Sequence, residues 1–428
     1  MIKKYNDLSA YNADAKSTTE STVSFIGDGT GVKVDGVNVL TDSPDYGDML
    51  FLDASNNIRW IRFGTLVLAN LTGWTAVGVV YKRTNNKVYV LDKTQTSLKW
   101  AAVMDFTITG YQLDGVQHDC AFTGNGESGK TFSYNATTID AFATQLNSFM
   151  QDTSNFSTDW FVNGNWQCKV ADGAVKVYCY NYNNYRQYQL GLSGLTVTNN
   201  MGSEIPAISF ITRKNRANSW AGCNLDRMVT VYSTSGRTPT ANEGLKYTDA
   251  PVNLDSFTNS GYCDLLRSTY GDYRTYIDSL CAIYPYTRGA LTLNDGKGYT
   301  AALGSVTFMG SDGTQQIKYP AANYCKNKNY DNSLLSAGKW YLPPASELFG
   351  IIKNITYGLS GITTSNCDKI NQSLSAIGGN LLSCASNVWS SSRCNSYSAW
   401  SFSGSGNVHY NLSTSSSLGV RAVTLLKI

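Results

Sequence analysis

Four short apolar runs lie close together early in the chain: Met49-Leu50-Phe51-Leu52, Ile58 to Phe63, Ala76 to Tyr81 and Lys87 to Leu91. Asn56-Asn57 and Thr84-Asn85-Asn86 fall in two of the gaps. Asparagine tolerates the backbone of tight turns, so such gaps read as chain reversals and the runs as strands. Short strands at this spacing predict a small β-barrel or sandwich over residues 46–105, suited to an anchor module and without any catalytic group. Residues 1–45 are polar, with turn signals at Gly27-Asp28-Gly29 and Asp42-Ser43-Pro44-Asp45, and read as an extended arm.

The periodicity then changes. Ile139, Phe142, Ala143, Leu146, Phe149 and Met150 share one helical face, with Thr137 or Thr138 available as N-cap. Trp166 to Val170 and Val175 to Tyr180 flank Asp172-Gly173, a hairpin signature. Tyr178, Tyr180, Tyr182, Tyr185 and Tyr188 follow, a pattern that fits cross-strand packing better than a ligand platform. Residues 106–215 therefore read as an α+β insert. Three helices are expected in residues 216–428. The first covers Tyr273 to Cys281, before Pro285. The second opens at Pro344 with Leu348, Ile351 and Ile352 inward. The third holds Ile370, Leu374 and Ile377 and ends at Gly378-Gly379. Beyond Val388 the chain reads as strand and loop. The fold class is multidomain, mostly β with α+β parts.

Charge narrows the function. Only 15% of the 428 residues are charged, against about 25% in an average soluble protein. A net charge of +3 provides no drive toward nucleic acid or anionic membrane. Tyr, Ser and Asn must build the polar surface, and these are residues that binding loops favour. No apolar run approaches the roughly 18 residues of a membrane span, and the N-terminus has no apolar stretch behind its lysine pair to make a secretory signal. The ten cysteines include no C-x-x-C pair and read as small buried hydrophobes. Two histidines, His118 and His409, leave too little for a zinc site or a Ser-His-Asp triad. No metal, cofactor or catalytic residue is expected.

One motif invites a nucleotide. Gly124-Asn125-Gly126-Glu127-Ser128-Gly129-Lys130-Thr131 matches the phosphate-loop pattern letter for letter. A phosphate loop needs a helix to begin at once, so that its positive end faces the anion. Here Phe132-Ser133-Tyr134-Asn135 alternates as a strand does, so the motif reads as a Gly-rich hairpin loop.

The C-terminal part carries a series of landmarks. They are Tyr319-Pro320-Ala321-Ala322-Asn323-Tyr324-Cys325, Lys339 to Leu348 with Pro343-Pro344, Lys369 to Leu374, Val388-Trp389-Ser390-Ser391-Ser392, Ala399-Trp400 and Val420-Arg421-Ala422-Val423. Trp340, Trp389 and Trp400 are large apolar bodies with one donor each, suited to a core with little regular structure. Val420 to Val423 reads as a closing strand. In this order the landmarks resemble the C-type-lectin-like fold, in the variant shared by formylglycine-generating-enzyme-like domains and phage-encoded variable receptor-binding proteins. Tyr5 to Asp14, Val37 to Leu40 and Gly78-Val79-Val80-Tyr81 resemble the opening modules of virion fibre proteins of crAss-like and related phages.

The resemblance implies a structural virion fibre protein of head or tail. It would be made in the host cytoplasm and carried on the virion surface, and its C-type-lectin-like domain over 216–428 would bind a host surface glycan or protein. It implies contacts to capsid or tail proteins through the N-terminal region, and a homotrimer. The ligand-binding residues it implies lie between the scaffold strings: Arg393, Asn395, Tyr397, Trp400, Asn407, His409, Tyr410 and Asn411. The segment resembles the region that adenine-directed mutagenesis diversifies. Two alternatives accompany this expectation. One is a head-fibre or decoration protein with no receptor of its own. The other is an enzyme of the formylglycine-generating type, for which the spacing of Cys384 and Cys394 does not fit. The carboxylates of a calcium-dependent lectin are also missing, since Ser390-Ser391 follow Trp389.

Overall fold

The computed structural model describes residues 41, 43–63, 73–124, 127–156, 165–180, 189–205, 295–352, 369–382, 387–393, 396–403 and 407–428, and the backbone of short strands at 2–5, 23–26, 31–34, 37–38 and 223–224. The expected helix at Tyr273 to Cys281 lies outside these residues. The described chain is mostly β, arranged in several sheets. The helices are α1 (Ile139–Gln151), α2 (Gly296–Leu303), α3 (Pro320–Asn327), α4 (Ala345–Ile352) and α5 (Lys369–Ala376).

The segment 46–105 does not form a separate barrel or sandwich. Its strands join a six-stranded antiparallel sheet in the order Trp340–Tyr341, Val423–Lys427, Lys87–Asp92, Thr75–Thr84, Met49–Leu52, Ile58–Ile61. The last strand of the chain thus lies against the fourth apolar run, with Val423 opposite Leu91. All four residues of Met49–Leu52 are buried, because both faces of the sheet are covered. Met49, Phe51, Val79 and Leu91 pack with Ile351 of α4 and with Ile370 and Leu374 of α5. Leu50, Leu52, Val80 and Val90 face a larger core that includes Leu303 of α2 and Ala321, Ala322 and Cys325 of α3. A strand buried on both faces reads as a continuous apolar run, and that run does not reveal which partner covers it.

A second six-stranded sheet has the order Cys223–Asn224, Asn407–Ser413, Ser398–Ser403, Asn387–Arg393, Ser417–Val420, Thr96–Lys99. Two short crossings lead directly from one sheet to the other, at Asp92 to Thr96 and at Arg421-Ala422. Val420 to Val423 is therefore not one closing strand; it ends one strand and begins another in a different sheet. The two crossings lie side by side, with Asp92 N–H donating to Ala422 O at 2.9 Å.

Residues 104–205 leave and re-enter between Thr96–Lys99 and α2. They hold α1, a four-stranded sheet and a three-stranded sheet. Thr138 caps α1 by accepting from Ala141 N–H, and Phe142, Ala143, Leu146 and Met150 are buried. Aromatic contacts fill this core, among them Phe106 on Trp166 and Tyr111 on Phe142. The phosphate-loop look-alike is a hairpin: His118–Gly124 pairs antiparallel with Glu127–Tyr134. Cys120, Cys168, Cys179 and Cys325 are buried, and burial pushes the Cys168 thiol up to about 12. The expected extended arm contains a small four-stranded sheet in which Ile2–Tyr5 runs parallel to Val23–Ile26.

Candidate functional site

The strands Asn387–Arg393, Ser398–Ser403 and Asn407–Ser413 lie side by side in the second sheet. Five serines of these strands are interior: Ser390, Ser391, Ser392, Ser398 and Ser401 are each 0% exposed. A small hydroxyl can satisfy a backbone group that an irregular ladder leaves open. Ser390 Oγ donates to Trp400 O at 2.8 Å, and Ser392 Oγ accepts from Ala345 N–H at the start of α4. The ladder is irregular here, with its register shifting between Trp389 and Arg393. Two indoles tie the sheet down, Trp100 donating to Ser390 O and Trp389 to Leu98 O.

Trp400 does not contribute contact area, because it is 1% exposed and belongs to the interior. Tyr397 is 36% exposed at the turn between two of the strands, and its carbonyl accepts from both the N–H and Oγ1 of Thr414. Asn407, His409, Tyr410 and Asn411 all fall on the third strand. Its backbone sets His409 opposite Ser401 and Leu412 opposite Ala399. Tyr410 and Asn411 therefore oppose the single residue Trp400, which makes a β-bulge. Asn395 lies outside the described residues, as do Cys384 and Cys394.

Arg393 is half-buried and turned toward the insert. Its Nη1 donates to Met201 O at 3.0 Å, and its stem crosses Gly202, where an added Cβ would come within 2.6 Å of Arg393 Cδ. Burial lowers its pKa, while Tyr319 and Glu204 oppose that shift. Around it lies a charged junction that sequence reasoning missed. Lys318 is 2.8 Å from Asp105 and 3.6 Å from Glu204. Tyr319 Oη donates to Glu204 at 2.6 Å and accepts from Gly202 N–H at 2.9 Å. Burial, reinforced by Glu204, holds the Tyr319 phenol well above its usual range, so it stays protonated as that donor. Asp105, Asn200 and Glu204 are far from Lys318 in sequence, and no local pattern marks their meeting.

A second polar cluster sits at the paired crossings. Asp92 accepts from Thr94, from Lys328 and, at 2.9 Å, from Tyr330 Oη. Arg421 is 0% exposed and donates to Asp92 O, Gln95 Oε1 and Asn380 O. No group of three His, Cys, Asp or Glu stands together as metal ligands among the described residues. In both clusters the polar side chains are held by one another and by neighbouring backbone, with the Asp92 carboxylate shared between the field of Arg421 and the ion pair to Lys328.

Comparison with family models, with curated proteins and with solved structures finds no match to this chain.

Proposed function

We propose that the protein is a structural fibre protein of a phage virion, of head or tail, that displays a C-type-lectin-like domain toward a host surface ligand. The observation that carries this reading is the division of labour within residues 387–413. Ser390, Ser391, Ser392, Ser398, Ser401, Trp389 and Trp400 are buried and pin the strands, while Tyr397 stands exposed at the turn they support. Recognition needs contact residues carried on loops and held by a rigid frame. The closing of the domain by its own last strand, Val423–Lys427 against Lys87–Asp92, provides such a frame. In this reading Tyr397 and Tyr410 provide aromatic contact area, and Asn395, Asn407, His409 and Asn411 provide polar contacts. Arg393 holds the site against the insert. The N-terminal region binds other virion proteins, and the fibre is a homotrimer.

The test is adsorption of particles carrying Tyr397→Ala together with Tyr410→Ala. Attachment to host cells should be lost while the melting temperature of purified Tyr397→Ala stays within about 2 °C, since Tyr397 is exposed and an exposed residue contributes little to stability. Unchanged adsorption overturns the receptor reading. Normal infection by particles lacking the protein altogether would favour a decoration role instead.

A further inference from the structure

A groove of about 610 Å³ lies on the opposite side of the second sheet from Asn407–Ser413, against its edge strand Thr96–Lys99. Leu98 and Ile317 form its apolar part. Most of the rest comes from α3, where Pro320, Asn323, Tyr324 and Asn327 fall at i, i+3, i+4 and i+7 and so share one helical face. The other face of α3, with Ala321, Ala322 and Cys325, is buried in the core. The helix therefore presents a ring between amides where a packing helix would present aliphatic side chains.

The polar groups of the groove are only partly committed among the described residues. Asn323 Nδ2 donates to Gly304 O at 2.8 Å, leaving its amide oxygen. Asn329 Oδ1 accepts from Ala337 N–H, leaving its NH2. Asn327 is exposed, and its amide makes no hydrogen bond to the described residues. The one cation, Lys328, is already neutralised in the wall: its Nζ is 3.1 Å from Asp92 Oδ1 and donates to Thr94 Oγ1. Its ammonium also lies 5.8 Å from the Tyr324 ring centroid, which fixes the ring in place.

An aromatic ring flanked by amides with both donor and acceptor capacity, beside a lysine that is already ion-paired, suits one ligand chemistry. A sugar ring has an apolar C–H face for the aromatic ring and hydroxyls that both donate and accept. We infer that this groove binds a neutral saccharide unit, stacked on Tyr324 and hydrogen-bonded by Asn327 and Asn329. An anionic glycan gains less here than from a free ammonium, because Lys328 is already ion-paired with Asp92. The inference is independent of the fibre reading and of the strands 387–413.

The experiment is a printed array of neutral and sialylated glycans probed with the intact protein. Calorimetric titration of the strongest neutral glycan follows. Saturable binding to neutral glycans is expected, weakened tenfold or more by Tyr324→Ala and severalfold by Asn327→Ala, and retained by Tyr324→Phe. Asn327 is exposed, so its replacement leaves the melting temperature unchanged and separates lost binding from lost fold. Tyr397→Ala should leave array binding intact even where it lowers host attachment, so this site and the proposed receptor surface fail or succeed separately. Absence of any neutral glycan on the array, binding only to sialylated glycans, or full affinity in both Tyr324→Ala and Asn327→Ala overturns the assignment.

Discussion

Arg421 shows how one side chain can hold two crossings. Its guanidinium is completely buried and its pKa is pushed down to about 10 by that burial. It nevertheless stays charged at neutral pH, with its donors on Asp92 O, Gln95 Oε1 and Asn380 O. Arg421→Ala removes a fully buried guanidinium that three acceptors hold, one of them buried at Asp92 O, and should cost about 3 kcal/mol, read as a lower urea midpoint. Arg421→Lys should recover only a minor part, because one ammonium cannot reproduce the planar fork. An unchanged midpoint in Arg421→Ala would refute the role. Glu347 behaves differently. Tyr81 and Tyr341 each donate to its carboxylate at 3.2 Å, yet desolvation wins and pushes its carboxyl up to about 7 from 4.5. The folded state then binds this proton more tightly than the unfolded chain does. Its contribution to stability is therefore present below about pH 4.5 and is lost as pH rises toward 7, by up to about 3 kcal/mol. Denaturation at pH 5 and pH 8 should show a smaller difference in Glu347→Gln than in the native protein; equal slopes would contradict this.

At the scale of elements, local rules carried well where the signal was local. Helix α1 begins where its N-cap stands, and the Asp172-Gly173 hairpin forms with Asp172 at φ 52° and Gly173 at φ 72°, as a tight two-residue turn requires. Gly202 has a similar φ of 65°, but no sequence signature marks it, since its second constraint is the Arg393 stem pressed against it. The comparison makes a prediction. Gly173→Ala, with nothing near the added methyl, should cost about 1–2 kcal/mol from backbone strain alone. Gly202→Ala should cost more, because Arg393 Cδ and Trp100 would have to move as well. Equal losses on thermal denaturation would mean that Arg393 yields freely. The tyrosine pattern was also legible as packing in part: Tyr178 and Tyr180 stack at 5.9 Å, and Tyr180 donates to Met309 O. The serines after Val388 were not. Their abundance looks like a polar surface, whereas an irregular ladder draws Ser390, Ser391, Ser392, Ser398 and Ser401 inward.

Across the whole molecule the decisive fact is that distant segments meet. Val423–Lys427 lies between Trp340–Tyr341 and Lys87–Asp92, so removing residues 423–428 detaches Trp340–Tyr341 from the sheet and bares the edge of Lys87–Asp92. Such a truncation should abolish the cooperative unfolding transition altogether, as should expression of residues 46–105 alone, because neither piece can cover its apolar faces. A cooperative melt from either would restore the separate module. The amino-acid sequence by itself determined the β-rich class, helix α1 and the hairpin in place of a phosphate loop, because periodicity, caps and turn residues act over a few neighbours. Tertiary structure alone decided which strands share a sheet, that Trp400 and the serines face inward, and that Arg393, Arg421 and Lys318 find their partners, because contacts between residues hundreds of positions apart leave no local period. The groove at Tyr324 belongs to both scales: the i, i+3, i+4, i+7 spacing is written in the chain, and only burial of the opposite helical face turns that half-buried ring toward the groove.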